Sequence, residues 1–95
     1  MKPWAMDSLE IIEMVMLVEE VFDIEIPNAD LEDFGSPREI VDWLEAHLAN
    51  KRPNKAAHGL VKKLARDQEW PELAEGLEGP WRSEQIAAIV REIFR

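Results

Sequence analysis

Ninety-five residues, 46% of them hydrophobic, supply one small core with little margin for the loss of a helix. The absence of cysteine excludes disulfides, thiolate metal sites and a cysteine nucleophile, and the two histidines, His47 and His58, are too few for a histidine-rich metal site. The net charge of −9 is uneven: residues 1–50 hold 2 Lys/Arg against 13 Asp/Glu, whereas residues 51–95 hold 9 against 7.

Such an acidic first half repels nucleic acid and anionic membranes and is steered toward basic protein surfaces, although acidic faces also serve simply to keep small proteins dissolved. No apolar run of about 20 residues is present to span a bilayer. Met1-Lys2-Pro3-Trp4 lacks the apolar core and cleavage site of a signal peptide. The expectation is a soluble, cytoplasmic protein.

After the lead-in Met1 to Met6, Asp7 is placed to cap a helix, with Glu10 three residues on as its capping-box partner. The predicted helix covers 8–22 and contains no Gly or Pro. Leu9, Ile12, Val15, Met16, Leu17, Val18 and Phe22 recur at spacings of three and four, and Glu10, Glu13, Glu19 and Glu20 fill remaining positions. Phe22 to Pro27 alternates apolar and acidic residues but has no partner strand elsewhere, so it is expected to be an extended connector. A short helix over 29–34 follows and is stopped by Gly35.

Ser36-Pro37-Arg38-Glu39 combines a Ser N-cap, Pro at the first helical position and Glu at the third, which predicts a helix over 36–49 with Ile40, Val41, Leu44 and Leu48 inward. Lys51-Arg52-Pro53-Asn54-Lys55 is a basic linker and the obvious boundary of the chain. A helix over 56–68 has Leu60, Val61 and Leu64 on one face and Lys62, Lys63 and Arg66 on the other. Trp70 and Trp81 flank a Pro/Gly-rich turn and are expected to pin it to the bundle. Ser83-Glu84-Gln85 caps a last helix over 83–95, where Ile86, Ile89, Val90, Ile93 and Phe94 form a full buried stripe. The reading is all-α.

From Ala5 to Leu48 the chain resembles the acyl carrier protein family. Asp7-Ser8-Leu9 matches the family's attachment motif at the start of an acidic helix, and the segment Glu13 to Phe22 is similar to its second helix. Glu25-Ile26-Pro27 resembles its connector and Ile40-Val41-Asp42-Trp43-Leu44 its last helix. Asp-Ser-Leu alone is common by chance; 44 consecutive positions in order are not. Two departures stand out: Ala5 replaces a usual glycine, and the family's long first helix is missing upstream. Ile86 to Phe94 is similar to that helix in period and residue type.

The expected fold is therefore an acyl-carrier-protein-like helical bundle, permuted or domain-swapped. Residues 1–50 form the carrier-like core, 51–82 a linker with an extra helix, and 83–95 the helix completing the bundle, either in its own chain as a monomer or in a swapped homodimer. A new cap made by 56–95 is the other arrangement compatible with the pattern.

The resemblance implies that Ser8 is the attachment point of 4′-phosphopantetheine, with Asp7 contributing to recognition and Leu9 fixing how the serine projects. It implies a carrier and not an enzyme: a substrate of a phosphopantetheinyl transferase that holds acyl groups as thioesters for partner enzymes in fatty-acid, polyketide or related lipid metabolism. Glu10, Glu13, Glu19 and Glu20 would meet acyl-transfer or acyl-activating enzymes with basic surfaces, as well as forming the wet side of the helix. Ile11, Met16, Leu31, Phe34, Ile40 and Leu44 are core candidates, some of which the resemblance places around an acyl chain. No metal ligands are expected. The alternative function is a non-acylated, carrier-like interaction module that docks partners through the acidic helix; a hydrolase has no Ser/His/Asp arrangement to support it.

Overall fold

A computed structural model describes residues 8–94, with side chains from Glu10 onward. The elements are α1 (Ser8–Phe22), α2 (Asn28–Asp33), α3 (Pro37–His47), α4 (Lys55–Asp67), a 3-10 turn (Pro71–Ala74) and α5 (Ser83–Ile93). Among the described residues there is no strand, so the fold is all-α.

α1 buries Val15, Val18 and Phe22, with Ile11 half-buried one turn earlier. These positions are spaced four, three and four apart and form a single stripe. The helix stops at Asp23, whose φ of 52° turns the chain out of the helix, and the Ile24 N–H returns to the Glu19 carbonyl at 3.0 Å. Lys51 closes this end from the far side of the fold: its Nζ donates to the Asp23 carbonyl and lies 3.6 Å from the Asp23 carboxylate.

α2 is a short turn secured by its neighbour. Trp43 of α3 donates its indole N–H to Asp30 at 3.1 Å, and its ring meets Phe34 edge-on at 6.4 Å. Trp43 also stacks on His47 at 3.8 Å, so its structural part is threefold. Ser36 occupies the N-cap position of α3 in extended conformation, but its side chain makes no capping bond. Glu39 instead reaches back to accept from the Gly35 N–H, which satisfies a backbone donor just outside the helix. Asn54 does cap α4, accepting from the Ala57 N–H at 2.9 Å.

The C-terminal half is tied by polar side chains as well as by packing. α5 begins after Arg82 and not after Ser83, because the Gln85 side chain accepts from the Arg82 N–H at 3.0 Å. Gln85 is fully buried and donates to the carbonyls of Leu73 and Glu75, each at 3.0 Å. Arg82 binds the carbonyls of Glu72 and Glu75 at 3.2 and 2.7 Å. Gly76 has a φ of 72°, which strains any side-chain-bearing residue, and it sits where the chain turns past the Arg82 side chain.

α5 is the centre of the packing. Ile86, Ala88, Ile89 and Val90 are buried, and the helix lies against α1, α3, α4 and the 3-10 turn of its own chain. Among the described residues the backbones of α1 and α3 make no close approach to each other; α5 touches both. Trp81, 7% exposed, packs on Phe22 with ring centroids 4.6 Å apart, while its backbone N–H binds the Lys51 carbonyl at 3.0 Å. Trp70 packs half-buried against the same core. Each tryptophan thus holds one flank of the turn.

Candidate functional site

The chain has three hydroxyl side chains, Ser8, Ser36 and Ser83, and no Thr or Tyr. All three fall at helix starts: Ser8 is the first residue of α1, Ser36 precedes α3 and Ser83 opens α5. What distinguishes Ser8 is its helix. α1 is 15 residues long, the longest of the described elements, and its first-turn N–H groups point toward the N-terminal end, where the dipole is positive and a phosphodiester is stabilised. Asp7 and the side chains of Ser8 and Leu9 lie outside the described residues. What the described backbone supplies is a helix start at Ser8, and it fits a phosphate-linked group on that serine.

The exposed face of α1 differs from the predicted one. Ile12, Met16 and Leu17 are 52, 61 and 48% exposed, so the apolar residues of this helix are divided between two faces. At 100° per residue, Glu13 and Glu20 point outward, opposite the buried Val15–Val18–Phe22 stripe, and the three exposed apolar side chains flank them. Glu10 is exposed in the first turn. Glu19 is the exception among the four predicted partner-facing acids: it is half-buried, and its carboxylate accepts from the Ile26 N–H at 2.8 Å. It stabilises the connector after α1 and stands apart from Glu13 and Glu20.

The predicted pocket residues also separate. Phe34, Ile40 and Leu44 are buried in one cluster, and Ile11 and Leu31 pack against it. Met16 does not join them. It is a correction to the sequence reading, which assigned it to the core; it lies on the wet side because the stripe chosen by packing runs through Ile11 and Val15. That stripe was visible in the spacing, but so was the competing Leu9–Ile12–Met16 set, and periodicity alone does not rank the two.

A groove of about 610 Å³ between α3 and α5, with Val41, Ala87, Val90 and Phe94 among its lining residues, had no counterpart in the sequence reading. It combines residues about 50 positions apart, which only the docking of α5 brings together. Among the described residues no group of His, Asp and Glu has the arrangement of a metal site, and no helix is long and apolar enough to cross a membrane. The Arg82 guanidinium beside Glu84, 2.6 Å away, holds that carboxyl below its usual range.

Residues 4–44 match the family described as "Phosphopantetheine attachment site". Proteins named acyl carrier protein are similar over the same region. That of Syntrophobacter fumaroxidans is 44% identical over 43 residues, covering 45% of this chain and 53% of that protein. That of Clostridium acetobutylicum is 44% identical over 41 residues, covering 43% and 53%. That of Zymomonas mobilis is 44% identical over 43 residues, covering 45% and 55%. The chain spans about half the length of the curated relatives it matches. No solved structure matches it significantly. The matched segment is thus similar to acyl carrier proteins over the stretch that the family model describes as a phosphopantetheine attachment site, and the prosthetic group that description implies is 4′-phosphopantetheine.

Proposed function

We propose that this chain, with its acyl-carrier-family segment at residues 4–44, carries acyl groups as thioesters on a 4′-phosphopantetheine arm attached to Ser8. The observation that carries the reading is the coincidence of the matched motif Asp7-Ser8-Leu9 with the start of α1, the long acidic helix. In the attachment step a phosphopantetheinyl transferase joins the Ser8 oxygen to the phosphorus of the arm. The pyrophosphate bond of coenzyme A breaks, adenosine 3′,5′-bisphosphate leaves, and the serine proton is lost. The chain's part is to present Ser8 at the helix terminus, where the N–H groups stabilise the phosphodiester charge. Once attached, the group supplies a terminal thiol on a long flexible arm.

Asp7 would contribute to recognition by the transferase and Leu9 to orienting the serine. Glu10, Glu13 and Glu20 are the acids we assign to partner enzymes with basic surfaces, in fatty-acid, polyketide or related biosynthesis in the cytoplasm; charges of this kind raise association rates more than affinity. We assign α5 the place of the family's first helix, in permuted order, on the strength of its burial against α1 and α3. Residues 1–50 then form the carrier-like core, 51–82 the return across the bundle, and 83–95 the completing helix.

Incubation with coenzyme A and a promiscuous transferase, read by intact mass, tests the central claim. The expected result is a gain of one phosphopantetheine that is lost in Ser8→Ala and retained in Ser36→Ala and Ser83→Ala. No gain with several transferases would overturn it and leave the non-acylated interaction module.

A further inference from the structure

We propose that this chain self-associates, the outward face of α1 in one copy docking into the shallow groove between α4 and the 3-10 turn of a second copy. The groove is lined by Lys62, Ala65, Arg66, Glu69, Pro71 and Ala74. Its floor is apolar, and two exposed cations rim it. Lys62 and Arg66 form no ion pair among the described residues, whereas their neighbour Lys63 is engaged by Asp67 at 3.6 Å. Glu69 is the opposing charge at the edge, one acid against two bases.

The surface that fits this groove is on the same chain. Glu13 and Glu20 are exposed and likewise make no ion pair among the described residues, and Ile12, Met16 and Leu17 beside them leave about half of their surface or more in water. Seven residues separate the two acids, about two helical turns or ~10 Å along the axis. Lys62 and Arg66 are one turn apart on long side chains that reach beyond their own backbone positions.

An acidic helix edged by apolar residues thus faces an apolar groove edged by bases. The charge division of the chain carries the match further: Asp/Glu exceed Lys/Arg 13 to 2 over residues 1–50, and Lys/Arg exceed Asp/Glu 9 to 7 over residues 51–95. Within one molecule α1 already turns its opposite, buried face toward α4, so its outward face can reach this groove only in another copy. Rim charges of this kind give register and rate, and burial of Met16 and Leu17 gives the affinity.

Sedimentation equilibrium of the unmodified full chain, across protein concentration and at about 10 and about 150 mM salt, reads the proposal independently of Ser8 chemistry. The weight-average mass should rise with concentration, and the dissociation constant should rise at least tenfold at the higher salt. The variants Lys62→Glu/Arg66→Glu and Glu13→Lys/Glu20→Lys should each be monomeric with unchanged helical circular dichroism. Their equimolar mixture should associate again, because every reversed acid then meets a reversed base. A wild-type chain that stays monomeric overturns the proposal. So does association that both variants retain, or a mixture of monomeric variants that does not re-form the complex.

Discussion

The two halves of this molecule are held in different ways. Residues 55–93 are knitted by polar side chains that reach across turns: Gln85 bonds to Leu73, Glu75 and Arg82, Arg82 bonds to Glu72 and Glu75, and His58 meets the Leu77 carbonyl at 3.0 Å. In residues 8–48 the polar ties run from Glu19 to Ile26, from Glu39 to Gly35 and from Trp43 to Asp30, and none of these joins α1 to α3. α1 buries its apolar stripe in a core that α3 shares and is held by Lys51 at its end, but among the described residues its backbone approaches α4 and α5 and not α3. The half that carries the family match is therefore the half whose placement depends on the other. The outward face of α1 leaves Ile12, Met16 and Leu17 in water, and part of what holds its inner face lies beyond the residues that the family match covers.

Removing that support should have the largest effect. Deletion of residues 83–95 takes away Ile86, Ile89 and Val90, each worth about 1.5–3 kcal/mol on full burial, against a total stability of roughly 5–15 kcal/mol for a small domain. We expect loss of the cooperative urea transition, and a two-state transition in the truncated chain would break the comparison. The milder Ile89→Ala should cost about 2–5 kcal/mol while the chain still folds. If Leu44→Ala in α3 costs as much, the core is shared evenly and not centred on α5.

Gln85→Ala comes next. It takes the donor from the Leu73 carbonyl, leaves the Glu75 carbonyl to Arg82 alone, and should cost about 1–3 kcal/mol by chemical denaturation. Hydrogen exchange should show the damage concentrated in 71–85. Trp43→Phe retains a ring but removes the bond to Asp30, with an expected cost of about 1 kcal/mol and faster exchange in α2. Met16→Gln should change stability by no more than about 0.5 kcal/mol, because the side chain is outside the core. A loss of about 2 kcal/mol or more would return Met16 to the interior.

The smallest effect concerns pH. Arg82 lowers the carboxyl of Glu84 below its value in the unfolded chain, so the pair's contribution is present at neutral pH and is lost as pH falls through the folded value. Glu84→Gln should therefore flatten the acid limb of the stability profile slightly and leave the plateau almost unchanged, as expected for an exposed pair.

Much of this architecture was legible because its signals are local. Pro37 inside α3 marks a helix start through a dihedral limit of its own residue, whereas Asn54, expected in the linker, caps α4, which begins one residue before the predicted start. The stripe of α5 was equally plain, since Ile86, Ile89 and Val90 face one way with small alanines beside them. The caps themselves were less so. Ser36 and Ser83 both looked like capping residues, yet Glu39 reaches back to Gly35 in one case and Gln85 to Arg82 in the other. A serine competes for those donors with any longer polar side chain that the fold brings close.

At the candidate site, the motif Asp7-Ser8-Leu9 and the acidic character of α1 were present in the sequence itself, since residue order and helix period are both short-range properties. Which side of α1 turned inward was not. The helix has apolar residues around more than half of its circumference, so its own pattern permits two faces, and the surface of α5, α4 and Trp81 selects Val15, Val18 and Phe22. The same docking bends Glu19 to the connector, leaves Ile12, Met16 and Leu17 in water, and sets Gln85 where it can serve three backbone groups at once. Sequence determined where the helices and the serine lie, through interactions within a turn or two; tertiary structure decided which faces were spent on the core, because burial is a property of the partners that meet.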